Sequence, residues 1–121
     1  MIRLRASLLS LALLLGACTL ANGQQKAVSN DSGFSVRATA EGLVLRNTSA
    51  VRVHYVAVEQ ETAALMDLNP DVTTWASVAP GQEKRVPYSD VNGYERGAKN
   101  VVVHWATAEP RTAGHLVVTV P

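Results

Sequence analysis

The sequence predicts an all-β fold, a seven-stranded antiparallel β-sandwich, and three observations predict it. Beyond Gly33 no helical period of apolar residues persists. Valine is abundant there, and Phe34-Ser35-Val36-Arg37-Ala38 alternates as a half-buried strand does. Turn residues recur at intervals of about ten, the spacing of sandwich strands.

Strands are expected at 34–40, 43–47, 51–59, 73–78, 83–88, 100–107 and 115–120. Glu41-Gly42 reads as the tight turn of the first pair. In Ala79-Pro80-Gly81-Gln82, Pro then Gly occupy the central positions of a type II turn. Asn92-Gly93 and Gly97 interrupt the chain before the sixth strand, and Glu109-Pro110-Arg111 tips the last hairpin, which Gly114 closes. Between them, 62–68 resists the strand pattern and reads as an irregular excursion with some helix. Asn69-Pro70-Asp71 ends it, because the residue before proline avoids the helical region.

This layout resembles small bacterial immunoglobulin-like or fibronectin type III-like domains. Asp90, Asn92 and Tyr94 are similar to the approach to a tyrosine corner, and Tyr55 or Trp105 is expected as the large core ring.

The first residues carry an address. Arg3 and Arg5 open the chain, and residues 6–15 form an apolar run broken only by Ser7 and Ser10. A bilayer span needs about 20 apolar residues, so this run matches the short core of a secretory signal instead. It ends Leu15-Gly16-Ala17-Cys18, which resembles the lipobox of bacterial lipoproteins: a large aliphatic residue, two small ones, then cysteine. The resemblance implies that the thiol of Cys18 acquires a diacylglyceryl group, that a peptidase cuts before it, and that the freed amine is then acylated. Each buried methylene contributes about 0.8 kcal/mol, so two or three chains anchor firmly where one does not. A plain signal peptide cut near Ala17 or Ala21 is the alternative. Thr19, where an inner-membrane lipoprotein of a Gram-negative cell tends to carry Asp, favours the outer membrane, facing the periplasm. The expected division is 1–17 signal peptide, 18–32 lipidated cysteine and flexible tether, and 33–121 sandwich domain. The tether is rich in Asn, Gln and Ser without apolar periodicity. Asn30-Asp31-Ser32 and Asn47-Thr48-Ser49 spell glycosylation sequons and are read as chance.

Charge excludes one class of partner. Lys plus Arg number 11 against 10 Asp plus Glu, and removal of Arg3 and Arg5 leaves 9 against 10. Nucleic-acid binding needs clustered basic residues on one face, and Lys84-Arg85 stands alone behind Glu83. Cys18 is the only cysteine, so no internal disulfide braces the fold. No nucleophile elbow, phosphate-binding glycine loop or His-Glu-x-x-His run occurs. The expectation is a non-enzymatic protein without a cofactor.

Strand alternation singles out one face. With Val53, Tyr55 and Ala57 inward, His54, Val56 and Val58 point out. With Val101, Val103 and Trp105 inward, Val102 and His104 point out. With Leu116 and Val118 inward, His115 and Val117 point out. The third, sixth and seventh strands share a sheet in the immunoglobulin layout. His54, His104 and His115 are therefore expected on one outer face, His104 and His115 as diagonal neighbours, as candidate ligands for zinc or copper. Val56, Val58, Val102 and Val117 form an apolar strip there, expected either to dock an envelope protein or a second copy, or to lie under the loop 62–71. The favoured function is a lipid-anchored envelope protein with an interaction or structural module, and the alternative is a metal-binding lipoprotein.

Overall fold

The computed structural model describes residues 28–31 by their backbone and residues 33–121 in full. The lipobox residues Leu15, Gly16, Ala17 and Cys18 lie outside the described residues, as does most of the expected tether.

Among the described residues, eight strands form two four-stranded antiparallel sheets. The strands are β1 (Val28–Asp31), β2 (Phe34–Ala38), β3 (Gly42–Asn47), β4 (Val53–Glu59), β5 (Ala76–Val78), β6 (Glu83–Pro87), β7 (Asn100–Thr107) and β8 (Thr112–Thr119). One sheet runs β1-β2-β3-β6 and the other β5-β4-β7-β8. β2 to β8 are the seven expected strands, and the third, sixth and seventh of them share a sheet as the immunoglobulin layout requires. The fourth, β5, joins that same sheet beside β4.

Between the sheets lies one apolar core. Phe34 and Val36 of β2, Leu43 and Leu45 of β3, Val53 and Tyr55 of β4, Val101, Val103 and Trp105 of β7, and Leu116 and Val118 of β8 are all buried in it. Each set has period two, so each of these strands gives one face to the interior. Both expected rings are present: Tyr55 pairs with Trp105 across β4 and β7, and the indole sits 6.5 Å from the Phe34 ring.

Four local expectations are corrected. First, β1 lies inside the segment 18–32 assigned to the tether, and pairs with β2 from Val28↔Arg37 to Asp31↔Phe34. Backbone pairing along a sheet edge needs no apolar period, which is why composition concealed it. Second, Gly42 is not a turn residue but the first of β3, and a Cβ on it would stand 2.3 Å from the Val86 carbonyl oxygen. The turn is organised by Thr39, whose Oγ1 donates to the Gly42 carbonyl at 2.9 Å and accepts from the Glu41 amide at 3.3 Å. Third, the strand expected at 73–78 begins only at Ala76, because the Asp71 carboxylate caps a 3-10 turn at Val72–Thr74 by accepting from the Thr73 amide at 3.1 Å. Fourth, Tyr94 builds no tyrosine corner. It stacks on Tyr88 at 4.6 Å, and the Tyr88 hydroxyl donates to the Thr39 carbonyl at 2.6 Å.

The type II turn is as expected: the Gln82 amide donates to Ala79 at 3.1 Å, and Gly81 has φ +73°. The expected helical excursion starts two residues early, as α1 (Gln60–Ala63), because the Glu59 carboxylate accepts from the Glu61 and Thr62 amides.

Candidate functional site

The β5-β4-β7-β8 sheet turns its outer face away from the core, and its registers array the singled-out residues in rows. His54 pairs with Ala106, Val56 with His104, and Val58 with Val102. Across the next ladder Ala106 pairs with Ala113, His104 with His115, and Val102 with Val117. Paired residues share a face in an antiparallel ladder, so the seven expected side chains do occupy one face.

His104 and His115 stand directly opposite each other, not diagonally. The hairpin pairs Thr107 with Thr112, so its loop is 108–111 and its centre falls between Glu109 and Pro110. Gly114 consequently lies within β8, opposite Trp105, and does not close the turn. At the tip, the Thr107 hydroxyl donates to the Pro110 carbonyl at 2.5 Å and meets the Thr112 hydroxyl at 2.6 Å.

The two imidazole rings are 6.2 Å apart, centre to centre, and tilted by 48°. Partial burial, reinforced by the neighbouring His115, lowers the His104 pKa below the ordinary histidine value and favours the neutral ring. His54 differs from both. It is 9% exposed, and its Nδ1 is buried without a hydrogen-bond partner. Asp71 lies within electrostatic reach of it. That carboxyl is held below its usual range by the Thr73 hydroxyl and amide first, with smaller contributions from Arg111 and His54. Among the described residues no group of three or more His, Cys, Asp and Glu is placed to hold a metal ion. The structure therefore brings His104 and His115 together and leaves His54 apart on the neighbouring strand, so the three-ligand set is not assembled.

The valine strip is corrected as well. Val58 is 0% and Val102 8% exposed, Val56 is half-buried, and only Val117, at 43%, is open. The buried pair lies outside the core cluster between the sheets, as does Val72 at 3% exposure. Val72 belongs to the 3-10 turn packed against β4, and α1 packs against both β4 and β7. The excursion after β4 thus packs on the sheet that carries this face, whose row nearest the hairpin, His54 and Ala106, is buried as well. Trp75, half-buried, is held at the edge by its indole N–H donating to the Asn69 carbonyl at 3.0 Å. Leu65 and Met66, at the apex of the excursion, stay exposed.

One feature escaped the sequence reading. At the end of the sheet where β4 stops and β7 starts, an open polar groove of about 500 Å³ is lined by Glu59, Glu61, Glu95, Arg96, Lys99 and their neighbours. The signal for it was the charged run between Gly93 and Asn100, which reads equally well as a solvated loop. Asn100 closes one side by donating from Nδ2 to the Gln60 side-chain oxygen at 3.0 Å. Among the described residues no helix is long and apolar enough to cross a membrane. No protein-family model matches the chain, and no curated protein and no solved structure matches it either.

Proposed function

We propose that this is a lipid-anchored protein of the bacterial cell envelope, whose sandwich domain serves binding or structural support and not catalysis. The observation that carries the reading is Leu15-Gly16-Ala17-Cys18 at the end of a short apolar run, with the sole cysteine of the chain at its last position. A domain without a disulfide, built on a valine-rich core, is consistent with a thiol committed elsewhere. The side of the domain offered to a partner is the outer face of the β5-β4-β7-β8 sheet. With Val58 and Val102 covered, the apolar groups left on this side of the fold are Val117, the half-buried Val56, and Leu65 and Met66 of the excursion.

The test is mass spectrometry of the N-terminal peptide from the protein isolated from its own membranes. A thioether-linked diacylglyceryl group on Cys18 and the absence of residues 1–17 are expected, and Cys18→Ser should release the chain from the membrane fraction. An unmodified Cys18 side chain overturns the proposal.

A further inference from the structure

We propose that His104 and His115 form a two-imidazole site for a divalent copper ion on the outer face of the β5-β4-β7-β8 sheet. The pair is held by β7 and β8, whose ladder runs unbroken from Asn100↔Thr119 to Thr107↔Thr112, so both ligands project from a rigid frame. An imidazole nitrogen binds an ion at about 2 Å, which puts the ion about 3 Å from each ring centre. Two rings sharing one ion therefore stand roughly 4–6 Å apart, nearer the upper figure as the angle at the metal opens. The observed 6.2 Å lies just beyond that range, so a rotation about the side-chain bonds of the exposed His115 is needed to bring both rings onto one ion.

The surroundings suit a ligand. The next row toward the hairpin is His54, Ala106 and Ala113 across β4, β7 and β8, of which His54 and Ala106 are buried. Val56 flanks His104 on β4, and Val102 with Val117 forms the row below, giving an apolar border on that side.

The number of ligands selects the ion. A structural zinc site wants four protein ligands, and here the protein gives two. Copper(II) binds imidazole most strongly among the first-row divalent ions and accepts a tetragonal set of nitrogen and water oxygen. The remaining positions face solvent. This inference stands on the described domain and does not depend on whether Cys18 carries lipid.

The experiment titrates the full chain, tagged without histidine, in detergent micelles with copper(II), and follows calorimetry and electron paramagnetic resonance. The double variant His104→Gln with His115→Gln sets the baseline for binding at the chain terminus or elsewhere. The wild type should take up one more equivalent than that baseline, with nitrogen hyperfine structure from two imidazoles. Each single variant should weaken this equivalent by about tenfold or more, since disturbing even the groups behind a metal ligand costs that much. His115 is exposed, so His115→Gln alone is decisive if the double variant misfolds. Equal uptake and an unchanged spectrum in wild type and His115→Gln would overturn the proposal.

Discussion

Asn47 is the polar side chain on which two sheets depend. It is 0% exposed at the end of β3, yet every polar atom of its amide has a partner. Nδ2 donates to the Val51 carbonyl at 2.8 Å and to the Val78 carbonyl at 3.0 Å, while Oδ1 accepts from the Ser49 amide at 3.0 Å and its hydroxyl at 2.6 Å. One side chain thereby fixes the turn between β3 and β4 and ties β3 to the end of β5 in the opposite sheet. Asn47→Ala strands the Val78 carbonyl and the Ser49 amide, while the Ser49 hydroxyl still serves the Val51 carbonyl, and unpaired buried groups cost about 1–3 kcal/mol each before relaxation and water entry. A net loss of about 2–3 kcal/mol is expected by urea denaturation, with the slope of the transition unchanged. A loss no larger than that of an ordinary surface substitution would show that the network is incidental. In the sequence Asn47 reads only as the first residue of a chance sequon. The available clue was phase: Leu43, Leu45 and Asn47 fall on the same side of one strand, and the first two are core. The same period-two reasoning placed all three histidines on their face, because alternation is a property of the backbone and survives errors in strand ends.

At the level of elements, alternation told which way a side chain points but not what lies above it. Val58 and Val102 point away from the core as expected and are buried all the same, and α1 packs against β4 and β7, the two strands that carry them. The excursion was legible as irregular, but its landing place was not, since the signals that start its two short helices are single carboxylates, Glu59 and Asp71. The same limit applied to β1, whose pairing is carried by backbone groups. If the excursion is a true cover, its anchor is Val72. Val72→Ala removes two buried methyl groups at about 0.8 kcal/mol each and should destabilise the domain by roughly 1–2 kcal/mol. Val117→Ala, on the open part of the same face, should stay within about 0.5 kcal/mol of wild type. Thermal unfolding of the two variants side by side measures the difference, and equal midpoints would mean that the excursion rests on the face without gripping it.

For the whole molecule, the strand directions decide which end the proposed lipid anchor would bring to a membrane. β3 ends where β4 begins, at Asn47 and Val53, so β3 starts and β4 ends at the opposite pole. Antiparallel pairing then places the start of β1 at Val28, the end of β4 at Glu59, the start of β7 at Asn100 and the end of β8 at Thr119 together at that pole, beside the polar groove. The hairpin loop 108–111 and the Pro80-Gly81 turn mark the far pole. Because β1 begins at Val28, the segment between Cys18 and the sandwich is residues 19–27. Nine residues reach at most about 30 Å even when fully extended, against the roughly 50 Å of a tether running to residue 32. Anchorage at Cys18, as proposed, would turn the groove pole toward the headgroups and present the hairpin to the far side, with the His104–His115 pair between the two. A fluorophore on Lys99→Cys should be quenched strongly by a headgroup-borne quencher in reconstituted vesicles, and one on Glu109→Cys weakly, the native thiol being blocked by the proposed lipid. Equal quenching at the two positions would mean that the domain tumbles freely on its tether, and that neither pole is the membrane side.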